Sequence, residues 1–128
     1  AMELAFTQPA EDMQVRSCQC DFCTRQGSLT VSEAAGKAVI TVAADQLTTY
    51  SFGSGTASFL ICARCGVYAG VIMADGDKWL SIANARGLGI EAFRNRTGTP
   101  LTHDGEPTPD RLARRRTRWT PTEIRYTL

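Results

Sequence analysis

Cys18-Gln19-Cys20-Asp21-Phe22-Cys23 and, about forty residues further on, Cys62-Ala63-Arg64-Cys65-Gly66 contain all five cysteines of the chain. A Cys-x-x-Cys turn brings two sulfurs close enough to share one metal ion, and tetrahedral zinc takes four ligands, with Zn–S at about 2.3 Å. Five cysteines are one too many for a single site and too few for two. Cys18 and Cys20 are one residue apart, so on an extended strand both sulfurs face the same side. Cys23 then closes a three-sulfur corner after a turn. Three protein ligands leave the fourth position of a zinc ion open to water or to an external thiolate, as a catalytic or substrate-binding ion requires. The competing arrangement is one four-sulfur structural site, in which Cys62 and Cys65 take partners from Cys18, Cys20 and Cys23.

An odd count in two tight clusters differs from a secreted disulfide scaffold, whose cysteines are usually even in number and scattered. It points to thiolate ligands in a reducing, cytoplasmic setting. A redox dithiol normally opens a helix after a strand, whereas Cys65-Gly66 runs into the strand-like Val67 to Met73. At 128 residues and 43% hydrophobic content the chain suits one domain over residues 1–128 with one core. A net charge of +1 supports no argument from the overall field, and with only Trp119 beside the one arginine run a nucleic-acid partner is not expected. No apolar run is long enough for a membrane-spanning helix. Ala1-Met2-Glu3-Leu4 lacks the basic and apolar regions of a signal peptide.

Around the cysteines the pattern is mostly that of strands. Leu4-Ala5-Phe6-Thr7 reads as a short strand, and Met13 to Cys18 alternates into the first cluster. Asp21 to Gly27 is a turn or one helical turn, and Leu29-Thr30-Val31 a brief strand. Lys37 to Val42 and Leu47 to Phe52 alternate, and Gly53-Ser54-Gly55 is a hairpin-like connection. Thr56 to Cys62 and Val67 to Met73 flank the second cluster as strand, knuckle, strand, with Gly66 permitting the tight turn. Trp79 to Ala83 is a core strand, with Trp79 in the interior. Thr97 to Pro109 reads as an irregular loop. Thr108-Pro109-Asp110 starts a short helix through about Arg118, with the proline at the first helical position, and Thr120-Pro121-Thr122-Glu123 carries a second capping signature. The expected product is a mainly antiparallel β domain with little helix.

Other candidate groups are few. His103, the single histidine, reads as an exposed loop residue. Asp21 and Arg25 flank the first cluster, where they would position a charged ligand or merely satisfy a turn and solvent. Tyr50, Phe52, Phe59 and Tyr68 are core residues on strands or the lining of a pocket near the metal. Arg111, Arg114, Arg115, Arg116 and Arg118 form a charge run that reads as a solvated helix face or an anchor for acidic residues of the same fold.

Taken together, Cys18-x-Cys20-x-x-Cys23, Tyr50-x-Phe52-Gly53, Phe59 and Cys62-x-x-Cys65-Gly66 resemble the glutathione-dependent formaldehyde-activating enzymes and the related centromere-protein-V-like proteins, over roughly residues 1 to 85. That resemblance implies an Mss4-like zinc-binding fold of short antiparallel sheets. It implies carbon–sulfur lyase activity, in which glutathione as co-substrate adds to formaldehyde to give S-(hydroxymethyl)glutathione. Cys18, Cys20 and Cys23 would hold the zinc near the reacting thiol and carry the catalysis, with Asp21 and Arg25 contacting glutathione. Cys62 and Cys65 match half of a structural zinc site. Its other half in the family is an additional Cys-x-Cys-Gly ahead of the first strand, which this chain lacks. Either that pair precedes Ala1, or the five cysteines share one ion. Small thiols and aldehydes are the implied partners, and self-association into a homo-oligomer stays open.

Overall fold

A computed structural model describes residues 1–127. In chain order its elements are β1 (Met2–Ala5), β2 (Arg16–Cys18), α1 (Asp21–Gln26), β3 (Thr30–Val31), β4 (Lys37–Ala43), β5 (Leu47–Tyr50), β6 (Ser58–Cys62), β7 (Tyr68–Asp75), β8 (Lys78–Asn84), β9 (Thr99–Leu101), α2 (Thr108–Arg118) and β10 (Thr120–Thr127). Short 3₁₀ turns lie at Ala10–Asp12, Ala44–Gln46 and Glu91–Phe93. The fold is mainly β with limited helix.

β8 is the hub of the sheet. One of its edges pairs with β7 from Asp75↔Lys78 to Gly70↔Ala83. The other is divided between β10, at Thr122↔Trp79 to Thr120↔Ser81, and β3, at Val31↔Ala83 and Thr30↔Asn84. From there the order runs outward through β10, β4 and β1 on one side and β3, β2 and β9 on the other, while β5 and β6 extend the sheet beyond β7. Two pairings are parallel, β10 with β4 and β2 with β9. The sheet is therefore mixed but mainly antiparallel, as the sequence pattern implied, and it is one ten-stranded sheet where the family resemblance implied several short ones.

Three expectations are corrected. Thr120-Pro121-Thr122-Glu123 does not cap a helix; it opens β10, because Thr120, Thr122 and Ile124 face inward with a period of two. Glu123 pairs instead with Arg125 at 2.8 Å. Thr99–Leu101, inside the expected loop, adds to β2, with Thr99 N–H donating to Val15 at 2.8 Å. Trp79 is 40% exposed; the buried tryptophan is Trp119, packed with Tyr68, Val71, Met73 and Leu80. The α2 bounds agree with the sequence reading, except that Pro107 is the cap residue and Pro109 lies one position into the helix.

Two polar anchors tie remote segments to the sheet. Asn84, 2% exposed, accepts the Leu29 N–H at 3.1 Å and donates to the Tyr68 carbonyl at 2.9 Å, so it joins the ends of β3, β7 and β8. Glu33 is buried and accepts the Thr7 N–H at 2.7 Å, the Thr7 hydroxyl at 2.8 Å and the Gln8 N–H at 3.2 Å. Those three donors hold its carboxyl below the ordinary carboxylate range. A lowered native pKa adds stability that is complete above the unfolded value and is lost as pH falls through the native one. Glu33→Gln is therefore expected to flatten the acid limb of a melting-temperature profile below about pH 4.5. An unchanged limb would remove Glu33 from the acid lability of the fold.

Candidate metal centre

The cysteine corner forms where β2 passes into α1. Pleating places Arg16 and Cys18 on one face of β2 and Ser17 on the other. The Gln19 N–H donates to the Leu101 carbonyl at 2.8 Å, holding the strand exit against β9. Cys20 is the cap of α1: its backbone is extended, and its Sγ accepts the Cys23 N–H at 3.4 Å. Gly27 ends the helix at φ 59°, a left-handed conformation that favours glycine. The helix is fixed from outside by Phe22, whose ring lies 4.8 Å from Phe59, 5.0 Å from Tyr68 and 5.7 Å from Tyr50.

The result is that the Sγ atoms of Cys18, Cys20 and Cys23 all lie within 4.8 Å of one another. Three corners of a zinc–thiolate tetrahedron are about 3.8 Å apart when Zn–S is about 2.3 Å, so only slight contraction is needed. Soft sulfur donors in this arrangement suit zinc better than calcium or magnesium. Cys23 is buried, and Cys18 and Cys20 are partly accessible. Hydrogen bonding from the Cys23 thiol, assisted by the Cys20 amide, pulls Cys18 down to about 5. The same contact pushes Cys23 up, and burial pushes Cys20 up.

Cys62 and Cys65 are not part of this group. They lie at the turn between β6 and β7, closed by Gly66 N–H to the Cys62 carbonyl at 2.8 Å. Their surroundings are a separate groove that includes Ala1, Met2 and Leu88. Hydrogen bonds from the Cys65 amide and thiol lower the Cys62 pKa. Among the described residues no third Cys, His, Asp or Glu forms a ligand group with this pair.

Asp21 and Arg25, both exposed, line an open cleft with Cys20, Phe22, Tyr50 and Phe52. The aromatic residues are therefore pocket lining as well as packing. His103 differs from its expected exposure: it is half-buried and faces Cys18 and Cys20 across a second cleft of about 350 Å³. Burial, and then the Arg114 charge, push its pKa down. The pairing of β9 with β2 brings this loop to the cysteines, and the proline and glycine content around Thr99–Leu101 hid that strand in the sequence.

The arginine run divides by function. Arg114 forms a two-pronged pair with Glu106, both contacts at 3.1 Å, Arg111 reaches the same carboxylate at 3.4 Å, and Arg116 meets Asp75 at 3.0 Å. Those three anchor acidic residues of the same fold. Arg115 does not: it is buried beneath the helix, with its guanidinium 4.9 Å from the Trp119 ring centre.

No protein-family model matches this chain, and no curated protein matches it significantly. A crystal structure of a Rhodobacter sphaeroides protein, a structural-genomics target, aligns over 98% of this chain and 90% of its own at 23% identity, with a TM-score of 0.49.

Proposed function

We propose that this chain, as one domain over residues 1–128, is a zinc-binding β module. Cys18, Cys20 and Cys23 hold the ion and leave one coordination position for a ligand from solution. The convergence of three sulfurs within 4.8 Å carries this reading. When bound, zinc would supply positive charge that keeps an incoming thiol in its thiolate form. The chain's own residues would place that thiol: Phe52 and Phe59 wall the approach to Cys18 and Cys20, and Asp21 and Arg25 offer polar contacts beside Cys20. Three thiolates around one ion leave it a modest Lewis acid, which favours holding a ligand over activating a carbonyl.

A second reading is the one implied by the formaldehyde-activating family: addition of a small thiol such as glutathione to an aldehyde, in a cytoplasmic setting. The two clefts that meet at Cys20 favour it, because they leave room for two reactants at one sulfur corner. Cys62 and Cys65 remain proposed ligands of a second ion, with further donors from outside their own turn.

Zinc content by elemental analysis of the native protein tests the module, with at least one ion per chain expected and the corner ion lost in Cys23→Ser. Metal-free protein with full native stability would end this reading. Saturable adduct formation above the uncatalysed rate is required for the enzyme reading, and rates equal to background would leave only the module.

A further inference from the structure

Tyr68 opens β7 with 2% of its surface exposed, its ring edge-on to Phe22 at 5.0 Å and stacked on Phe59 at 5.7 Å. Its carbonyl accepts from the Asn84 side chain at 2.9 Å, so the residue is fixed at both ends. A phenylalanine would fill the same space, and both neighbouring rings are phenylalanines. Packing therefore explains the ring and not the hydroxyl. The Tyr68 Oη is sealed from solvent and has no hydrogen-bond partner, whereas a buried phenol usually finds one.

The charged groups that act on this hydroxyl are the three cysteines. After burial, the charges of Cys23, Cys18 and Cys20 push the Tyr68 pKa up, and the contact with Cys23 adds to the rise. Two of the three sulfurs already have a backbone donor. Cys18 is served by the Cys20 amide, and Cys20 accepts the Cys23 N–H at 3.4 Å. On Cys23 the influences are the other two sulfurs and burial, with no amide among them. A thiol is a weak acceptor, but metal binding makes all three cysteines thiolates. Three thiolates outweigh the two charges of zinc, so hydrogen bonds to the sulfurs stabilise the loaded corner.

We propose that Tyr68 is a positioning residue of the metal centre, its hydroxyl donating to the Cys23 sulfur when that sulfur binds metal as a thiolate. This rests on the metal reading above and adds to it a residue from outside the ligand segment. With Tyr68 included, each ligand sulfur has one donor, and the unpaired phenol belongs to the metal-free protein alone.

Tyr68→Phe tests the assignment, because it removes the hydroxyl and keeps the ring. Zinc affinity, from chelator competition, is expected to fall at least about tenfold, as on loss of a hydrogen bond to a metal ligand. With cobalt(II) in place of zinc, the sulfur-to-metal absorption is expected to move to lower energy, since a thiolate without its donor gives up electrons more readily. Metal-free Tyr68→Phe should resist urea at least as well as the parent, because the hydroxyl has no partner there to lose. Opposite effects on the metal-free and loaded states separate the hydrogen bond from packing. The absorption band decides: if it stays at the parent position, the proposal is overturned and the metal reading stands, whatever happens to the affinity. A metal-free variant that is unfolded would also overturn the proposal, since the hydroxyl would then serve the fold itself. Absence of cobalt–thiolate absorption in the parent would overturn both readings.

Discussion

Cys20→Ala is expected to weaken zinc binding by two to three orders of magnitude while leaving the sheet folded. Structural zinc sites in small peptides have apparent binding energies of about 10–16 kcal/mol at neutral pH. Shared over four ligands, that is roughly 3–4 kcal/mol for each, or about a hundredfold to a thousandfold. The structural cost is smaller. Cys20 is only partly buried, and its sulfur caps a six-residue helix through one 3.4 Å bond. Loss of a cap costs about 1 kcal/mol with oxygen acceptors, and sulfur is a weaker one. Competition against a chromophoric chelator gives the affinity, and circular dichroism without metal gives the fold. Affinity should also fall with decreasing pH in the unaltered protein, because Cys20 and Cys23, whose pKa values are raised, must release protons to bind. A variant that retains wild-type affinity would show that the three sulfurs are not the ligands.

The corner was legible in the sequence because its determinants are local. A one-residue spacing at the exit of a strand, with Cys20 on extended backbone as the cap of α1, places the three sulfurs through local geometry. The knuckle at Cys62–Cys65 was legible for the same reason, although which groups come near it depends on tertiary structure. Most strands from Lys37 to Asn84 could be read because they are rich in branched and aromatic residues and, from β5 onward, are separated by glycine-containing turns.

What stayed hidden depends on long-range pairing. β9 has only three residues, one of them proline, and owes its strand form to β2 more than eighty positions earlier. His103 reaches the site through that pairing and through Arg111 of α2, which donates to its carbonyl at 3.0 Å. β10 carries a capping motif, but Thr120 is 2% exposed and its hydroxyl takes the Glu33 N–H at 2.9 Å, so packing overrides the local signal. Arg115 looks in the sequence like any member of its run. Only the helix phase distinguishes it, since its neighbours Arg114 and Arg116 meet acids while Arg115 turns beneath the helix onto Trp119. The exchange of Trp79 for Trp119 as the buried tryptophan follows from the same docking of α2.

Gly70→Ala is expected to destabilise the fold by about 3–5 kcal/mol, from overpacking and the ladder bonds that would have to break. A Cβ at position 70 would lie 2.3 Å from the Ile82 carbonyl oxygen and 3.4 Å from the Ala83 Cα. Both are backbone atoms of β8, so no side-chain rotation relieves the clash. β7 is paired on both edges, with Gly70 opposite Leu60 of β6 and Ala83 of β8, which leaves it no free direction in which to move. Such a loss is comparable to the whole margin of many domains, about 5–15 kcal/mol. Urea denaturation gives the size of the effect, and a change below about 0.5 kcal/mol would mean that the two strands separate more easily than this contact allows. The metal separates the sheet from the site in the same experiment. Ligands from residues 18–23 bind the folded state and should stabilise variant and parent alike, by an amount set by free zinc and its affinity. Equal gains would place Gly70 in the scaffold alone. A smaller gain in the variant would mean that the clash reaches the corner, and Tyr68 provides the route, two residues along β7 and in ring contact with Phe22 at 5.0 Å.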